Sequence, residues 1–254
     1  EQWRDNEWLK KQYDDLGSIL FKQEILHSFV VSEDQVFSNE VLERIKKQVQ
    51  NKKPIQENKL GNNQVNGMLI FKFPIPGHRY ILGVDIGKGT SKDYSAVQVF
   101  DVDHHEQVAE FQARIGTKLF GRLVKKIARY YNQGYVVIEC NGIGEAVFNE
   151  VYKSDCDPYD NVFKRKITRN GLTVITGWDT NVKTRKLMTN SLIDWLTVDS
   201  MWAEMTLCSQ RLYQELTTWV WIGDRPDHAD GAHDDLIIAL GLALYMRNLS
   251  LIHI

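Results

Sequence analysis

Four acids in this sequence stand where elements meant for burial come to an end. Asp85 closes the apolar run "YILGV" and leads into the polar turn "GKGTSKD"; Glu139 ends "YVVI", two residues ahead of "NGIG". Asp234 and Asp235 open the last helical pattern, just after the small residues Gly231 and Ala232. At each point a side chain can project from rigid backbone into a cleft. Each acid also has a plain structural role open to it, since Asp is a common turn residue and a common helix cap. Glu139 fits such a role least, because a carboxylate at the end of an apolar strand needs a proton, a cation or a metal.

If the strands of Asp85 and Glu139 are neighbours and the last helix packs beside them, the acids converge. Two carboxylates about 4 Å apart repel by roughly 4 kcal/mol at an effective dielectric near 20, so such a cluster needs positive charge. An all-oxygen ligand set without Cys or paired His selects Mg²⁺ or Mn²⁺ over zinc. Two such ions suit hydrolysis of a phosphodiester, with Asp85 as the bridging carboxylate.

The elements that must position these groups follow from the pattern. With 254 residues, 43% of them apolar and 11% aromatic, the chain can bury one substantial core. Its 31 Lys and Arg against 33 Asp and Glu leave a formal charge of -2, so a polyanion site has to be local. Cys140, Cys156 and Cys208 are odd in number and lack CxxC spacing, which argues against a disulfide framework and suits a reducing compartment. No apolar run is long enough for a membrane span, and the opening "EQWRDNEWLKKQ" reads as a segment of a longer chain.

Residues 1 to about 50 read as helical, with Ser38 as an N-cap; "NKKPIQENKLGNNQVNG" reads as a connecting loop. This gives a helical arm or linker over 1–67 and an α/β domain over 68–250. In the latter, three strands form an antiparallel meander, and a helix ending near Gly134 leads to "YVVIEC", a strand covered on both faces. A glycine-started helix, the short strands "VFKRKI" and "LTVIT", and a helix capped by Thr180 follow. Then come the strand-like "ELTTWVWIG", the polar loop "DRPDHADGAH" and a final helix.

In this order, "ILGVDIGKGTSKDYSAVQVFD", "YVVIECNGIGEAVFNEV" and "GAHDDLIIALGLAL" resemble the nuclease domain of the large terminase subunit of tailed double-stranded DNA bacteriophages. The resemblance implies an α/β, RNase H-like fold of the RuvC/integrase superfamily: a mixed central sheet with an antiparallel meander, flanked by helices. It also implies a metal-dependent endonuclease that cuts concatemeric viral DNA during packaging. Carried over by position, Asp85, Glu139 and Asp234 are the catalytic metal-binding acids and Asp235 adjoins them, with Asp93 and His233 as possible accessories. Implied as partners are double-stranded DNA, the ATPase motor, the portal and the small terminase subunit, in the host cytoplasm. No G-x-x-x-x-G-K-[ST] motif is present, so the motor is not in this chain.

Lys183, Arg185 and Lys186, with Lys88 and Lys92 near Asp85, are candidate DNA contacts. Two further basic groups are Lys125, Lys126 and Arg129, and Lys164, Arg165, Lys166 and Arg169; charge runs are as often solvated faces. The loop before the last helix is a candidate gate. Two other functions fit parts of the pattern. The hairpin around Asp85 is similar to the first phosphate-binding hairpin of actin-like and sugar-kinase ATPases, but their second "DxGxG" hairpin is missing. A non-catalytic docking module is the other alternative. Holliday-junction resolvases share the acids but lack a long N-terminal arm.

Overall fold

The computed structural model describes residues 34–87, 94–169 and 171–250. The expected helical reading of residues 1–33 therefore lies outside the described residues, as do Lys88, Lys92 and Asp93.

Chain order begins with α1 (Asn39–Val49), β1 (Gln56–Leu60) and β2 (Asn63–Ile70), then β3 (Tyr80–Asp85), β4 (Ser95–Asp101) and β5 (Glu106–Ala113). Next come α2 (Thr117–Tyr130), β6 (Tyr135–Ile138), α3 (Gly144–Tyr152), β7 (Arg165–Arg169) and β8 (Leu172–Thr176). The chain continues through α4 (Val182–Thr197), α5 (Asp199–Glu204), α6 (Gln210–Thr217), β9 (Trp219–Ile222), β10 (Arg225–His228) and α7 (Asp235–Ser250).

The central sheet has six strands among the described residues, in the order β1-β2-β5-β4-β3-β6. β3, β4 and β5 form the expected antiparallel meander, and β6 joins β3 in parallel. The sheet is mixed, and β3 is buried along nearly its whole length.

Period-two alternation sorts β3 between two cores. Tyr80, Leu82 and Val84 pack with α2 and α3, while Ile81 packs with α4, α6 and α7. Gly83 lies on the same face as Ile81, and a Cβ built there would meet the Ala239 carbonyl oxygen at 1.8 Å. The last helix therefore lies against the backbone of β3, an approach that only glycine permits. Asp85 is two residues further along this face.

Several local expectations are corrected. The stretch read as a loop over residues 51–67 contains β1 and most of β2, paired as an antiparallel hairpin, and a division at residue 67 falls inside β2. Its polar, outward-facing residues hid the strand. Ser38 does cap α1, accepting from the Val41 N–H. At α4 the cap is Asn181, which accepts from the N–H groups of Lys183 and Thr184 while Thr184 closes a capping box; Thr180 lies outside it. Gly134 donates its N–H to the Ala128 carbonyl beyond the end of α2, but the positive φ angles there belong to Asn132 and Gln133. The first three residues of "ELTTWVWIG" are helix, and the polar loop after it contains β10, paired with β9.

Candidate metal centre

Parallel pairing of β3 and β6 brings their C-terminal ends together: Val84 stands opposite Ile138, and the Glu139 N–H donates to the Val84 carbonyl at 3.1 Å. By strand parity Glu139 shares the face of Val137, which packs into the same core as α7. Asp85 and Glu139 thus sit side by side at the carboxyl edge of parallel strands, where open α/β sheets place their ligand crevice. Gly144 lets α3 start against this edge, since a Cβ there would meet the Glu139 carbonyl oxygen at 2.1 Å.

The third contribution comes from α7. Asp234 accepts the Ile238 N–H through its carbonyl, at the position that caps the helix, and Asp235 is in the first turn. Glu215 of α6 holds this helix end: its Oε2 accepts from the N–H groups of Leu236 (2.8 Å) and Ile237 (3.2 Å). Those donors have no partner within their own helix, so a buried carboxylate satisfies them and favours the positive end of the helix dipole. Gln112 donates to the other oxygen of Glu215 at 2.7 Å. Burial first, and the neighbouring Asp235 second, push the Glu215 carboxyl up to about 8.

Together these elements line a cleft of about 710 Å³ containing Asp85, Glu139, Asp227, Asp234 and Asp235, with Arg185, Arg225, His228 and His233. The Glu139 carboxyl lies close enough to Asp85 to favour a proton on Asp85. Burial is the main cause holding Asp85 well above the usual carboxylate range, and the charges of Glu139, Asp235 and Asp234 add to it. Asp234 is also raised, by burial, while Arg185 opposes the shift. The donor set is all-carboxylate at its centre and crowded with like charge, so it fits a hard divalent cation.

All of the expected acids that fall among the described residues, Asp85, Glu139, Asp234 and Asp235, meet in this cleft. His233 is at its rim, with Nδ1 3.6 Å from Asp235 Oδ2 and its ring edge-on to Tyr94. Arg185 faces inward: its Nη2 is 3.1 Å from Asp234 Oδ2 and 3.7 Å from Asp227 Oδ1. Lys183 and Lys186 point to solvent on the same helix turn. Of the other basic groups, Lys125 is buried between Glu150 and Asp157, and Arg129 pairs with Asp157 at 2.6 Å. Those two are structural ion pairs rather than free cations. Arg165 pairs with Asp179 at 3.3 Å.

The sequence reading missed two residues. Asp227 enters through the β9–β10 hairpin, and its carboxylate, His228 and Asp234 have ligand atoms all within 4.8 Å of one another. Glu215 stands behind the cleft as a positioning residue. Neither sits at the end of an apolar run, which was the signal that exposed the others.

Residues 82–247 match a family model described as the terminase RNaseH-like domain. The large terminase nuclease from thermophilic phage G20c, solved with bound magnesium, is similar at a TM-score of 0.60 and 17% identity, over 84% of this chain and 97% of that one. The same nuclease solved with bound cobalt gives 0.58 and 19%, over the same shares of 84% and 97%. The large terminase nuclease domain of Thermus phage P74-26 gives 0.54 and 16%, over 80% and 93%. The common fold is RNase H-like.

Proposed function

This chain belongs to the terminase RNaseH-like domain family, and we propose that it is a metal-dependent endonuclease that cuts concatemeric viral double-stranded DNA during packaging. The observation that carries the reading is the convergence of Asp85, Glu139 and Asp234 from two strands and a helix, with Asp235 beside them and Asp227 facing Asp234. Such acids raise one another's proton affinity unless cations neutralise them.

Asp85, Glu139, Asp234 and Asp235 hold divalent cations in this proposal, with Asp227 as a further oxygen ligand. When bound, a pair of Mg²⁺ or Mn²⁺ ions would supply charge neutralisation at the phosphate and a water acidic enough to lose its proton and serve as a hydroxide nucleophile. Arg185 steadies Asp234 and keeps a fixed positive charge in the cleft. His233, beside Asp235, is placed to hold or release a proton at the rim. The exposed Lys183 and Lys186, with Lys88 and Lys92, steer the DNA backbone in this proposal, and Asp93 is a further accessory. Phosphate-led contacts of this kind suit cleavage with little sequence preference.

The segment ahead of the sheet would tether the domain to an ATPase motor acting with portal and small terminase subunit in the host cytoplasm. No described helix is long and apolar enough to cross a membrane. Incubating supercoiled plasmid with this chain and Mg²⁺, Mn²⁺, Ca²⁺ or EDTA, beside Asp85→Ala, tests the reading. Nicking and linearisation that need Mg²⁺ or Mn²⁺ and vanish in the variant are expected. Cleavage that persists in EDTA, or ATP binding by an inactive chain, would overturn it.

A further inference from the structure

At the opposite end of β3 from Asp85, a second set of ligand-type side chains converges. His78 lies just ahead of β3, Asp101 ends β4, and His104 is in the turn between β4 and β5. Their ligand atoms all lie within 4.8 Å of one another. Seven residues separate His78 from Asp85, which at about 3.3 Å per residue puts this cluster roughly 20 Å from the acidic cleft.

Asp101 is the fixed point. Its side chain is 2% exposed, and Oδ1 accepts from the N–H groups of Asp103 (2.9 Å) and His104 (3.1 Å). These bonds lock the carboxylate and leave Oδ2 turned toward two imidazoles, with His78 Nδ1 at 2.8 Å and His104 Nδ1 at 3.7 Å. The two rings meet edge to face, their centroids 4.4 Å apart. Both Nδ1 atoms are thus aimed at the same carboxylate oxygen, as two ligands sharing one ion with it would be.

A tetrahedral cation with bonds near 2.0–2.1 Å spaces its ligands about 3.3 Å apart, and the two recorded separations fall on either side of that value. Two imidazoles and one carboxylate select zinc over the hard ions suited to the acidic cleft. The backbone N–H groups on Oδ1 orient the carboxylate as the outer partners of metal ligands do. We propose that His78, Asp101 and His104 form a zinc-type site that clips the approach to β3 onto the β4–β5 turn, with the remaining position open to water on the exposed side of His104.

Cobalt absorption tests this, because tetrahedral Co²⁺ absorbs visible light far more strongly than the octahedral ion expected in an oxygen-lined cleft. Co²⁺ is titrated into the full chain, into an Asp85→Asn/Glu139→Gln form, and into His104→Ala and His78→Ala forms checked for native thermal unfolding, with Zn²⁺ as competitor. The first two should take up one equivalent with strong absorption that Zn²⁺ abolishes. Either His substitution should weaken this binding beyond the roughly 10–100-fold that loss of an outer partner costs. His104→Gln is the fallback if an alanine form unfolds. Strong absorption absent from the unsubstituted chain, or unchanged in the His forms, would overturn the proposal.

Discussion

Glu110 and Asp85 are carboxylates on one face of the same sheet, in surroundings that differ in kind. In register, Glu110 stands opposite Gln98, which stands opposite Gly83, two residues before Asp85. Glu110 is fully buried and surrounded by donors: Arg211 Nε at 2.7 Å, Gln98 Nε2 at 3.2 Å and Gln107 Nε2 at 3.3 Å. Asp85 meets Glu139, Asp234 and Asp235 instead. Where a buried acid serves the fold, this protein gives it amides and a guanidinium; where the acids crowd one another, the missing positive charge must arrive from outside. Buried carboxylates alone therefore do not mark a site, but buried carboxylates facing carboxylates do.

The contrast is sharpest in substitutions. Glu139→Ala should lower the rate of divalent-dependent plasmid cleavage by at least about 10²–10³-fold, the scale on which one preorganised charge-stabilising group acts. Glu110→Ala should cost about 3–5 kcal/mol of unfolding free energy by removing the buried carboxylate to which Arg211 Nε and two amides donate. Asp85→Asn in chelator, measured by the same denaturant titration, should cost nothing or stabilise. Equal losses in the two forms would erase the distinction between them.

A weaker effect comes from pH. Glu215, Asp85 and Asp234 all bind protons more tightly in the folded chain than their ordinary values allow. For an acid raised on folding, the folded state holds more protons across the window, so stability falls as pH rises. For Glu215 the window runs from its ordinary 4.5 to about 8. In EDTA each retained proton should contribute a loss of about 1.4 kcal/mol per pH unit. Urea midpoints between pH 5 and 8 should fall in chelator, flatten with Mg²⁺, and flatten in part in Glu215→Gln. The smallest effect belongs to Arg185, which competes with cations for Asp234. Arg185→Gln should tighten Mg²⁺ binding by up to about fivefold in calorimetry, the scale of a partly exposed ion pair.

Much of this arrangement was legible in the sequence, and the physical reason is uniform. Asp85 and Glu139 end apolar runs long enough to reveal strands buried on both faces, and the "HDDL" start shows through the unbroken apolar helix behind it. The meander was visible for the same cause. What escaped detection lacks a hydrophobic signature. β1 is mostly solvent-facing, and β10 is "RPDH", four residues paired to β9 through backbone hydrogen bonds with Pro226 in their midst. Asp227 was hidden with it. Glu215 sits in an amphipathic helix, where its inward turn depends on tertiary packing against α7. Arg185 read as one member of a basic run until its helix turned it toward Asp234.

The crowded acids of the cleft are proposed to form a cation site. Crystals grown with Mn²⁺ and measured at a wavelength where manganese scatters anomalously test it directly. Anomalous peaks are expected within bonding distance of Asp85 together with Glu139 or Asp234. A cleft without a peak at saturating Mn²⁺, with the four carboxylates ordered around water alone, would contradict it.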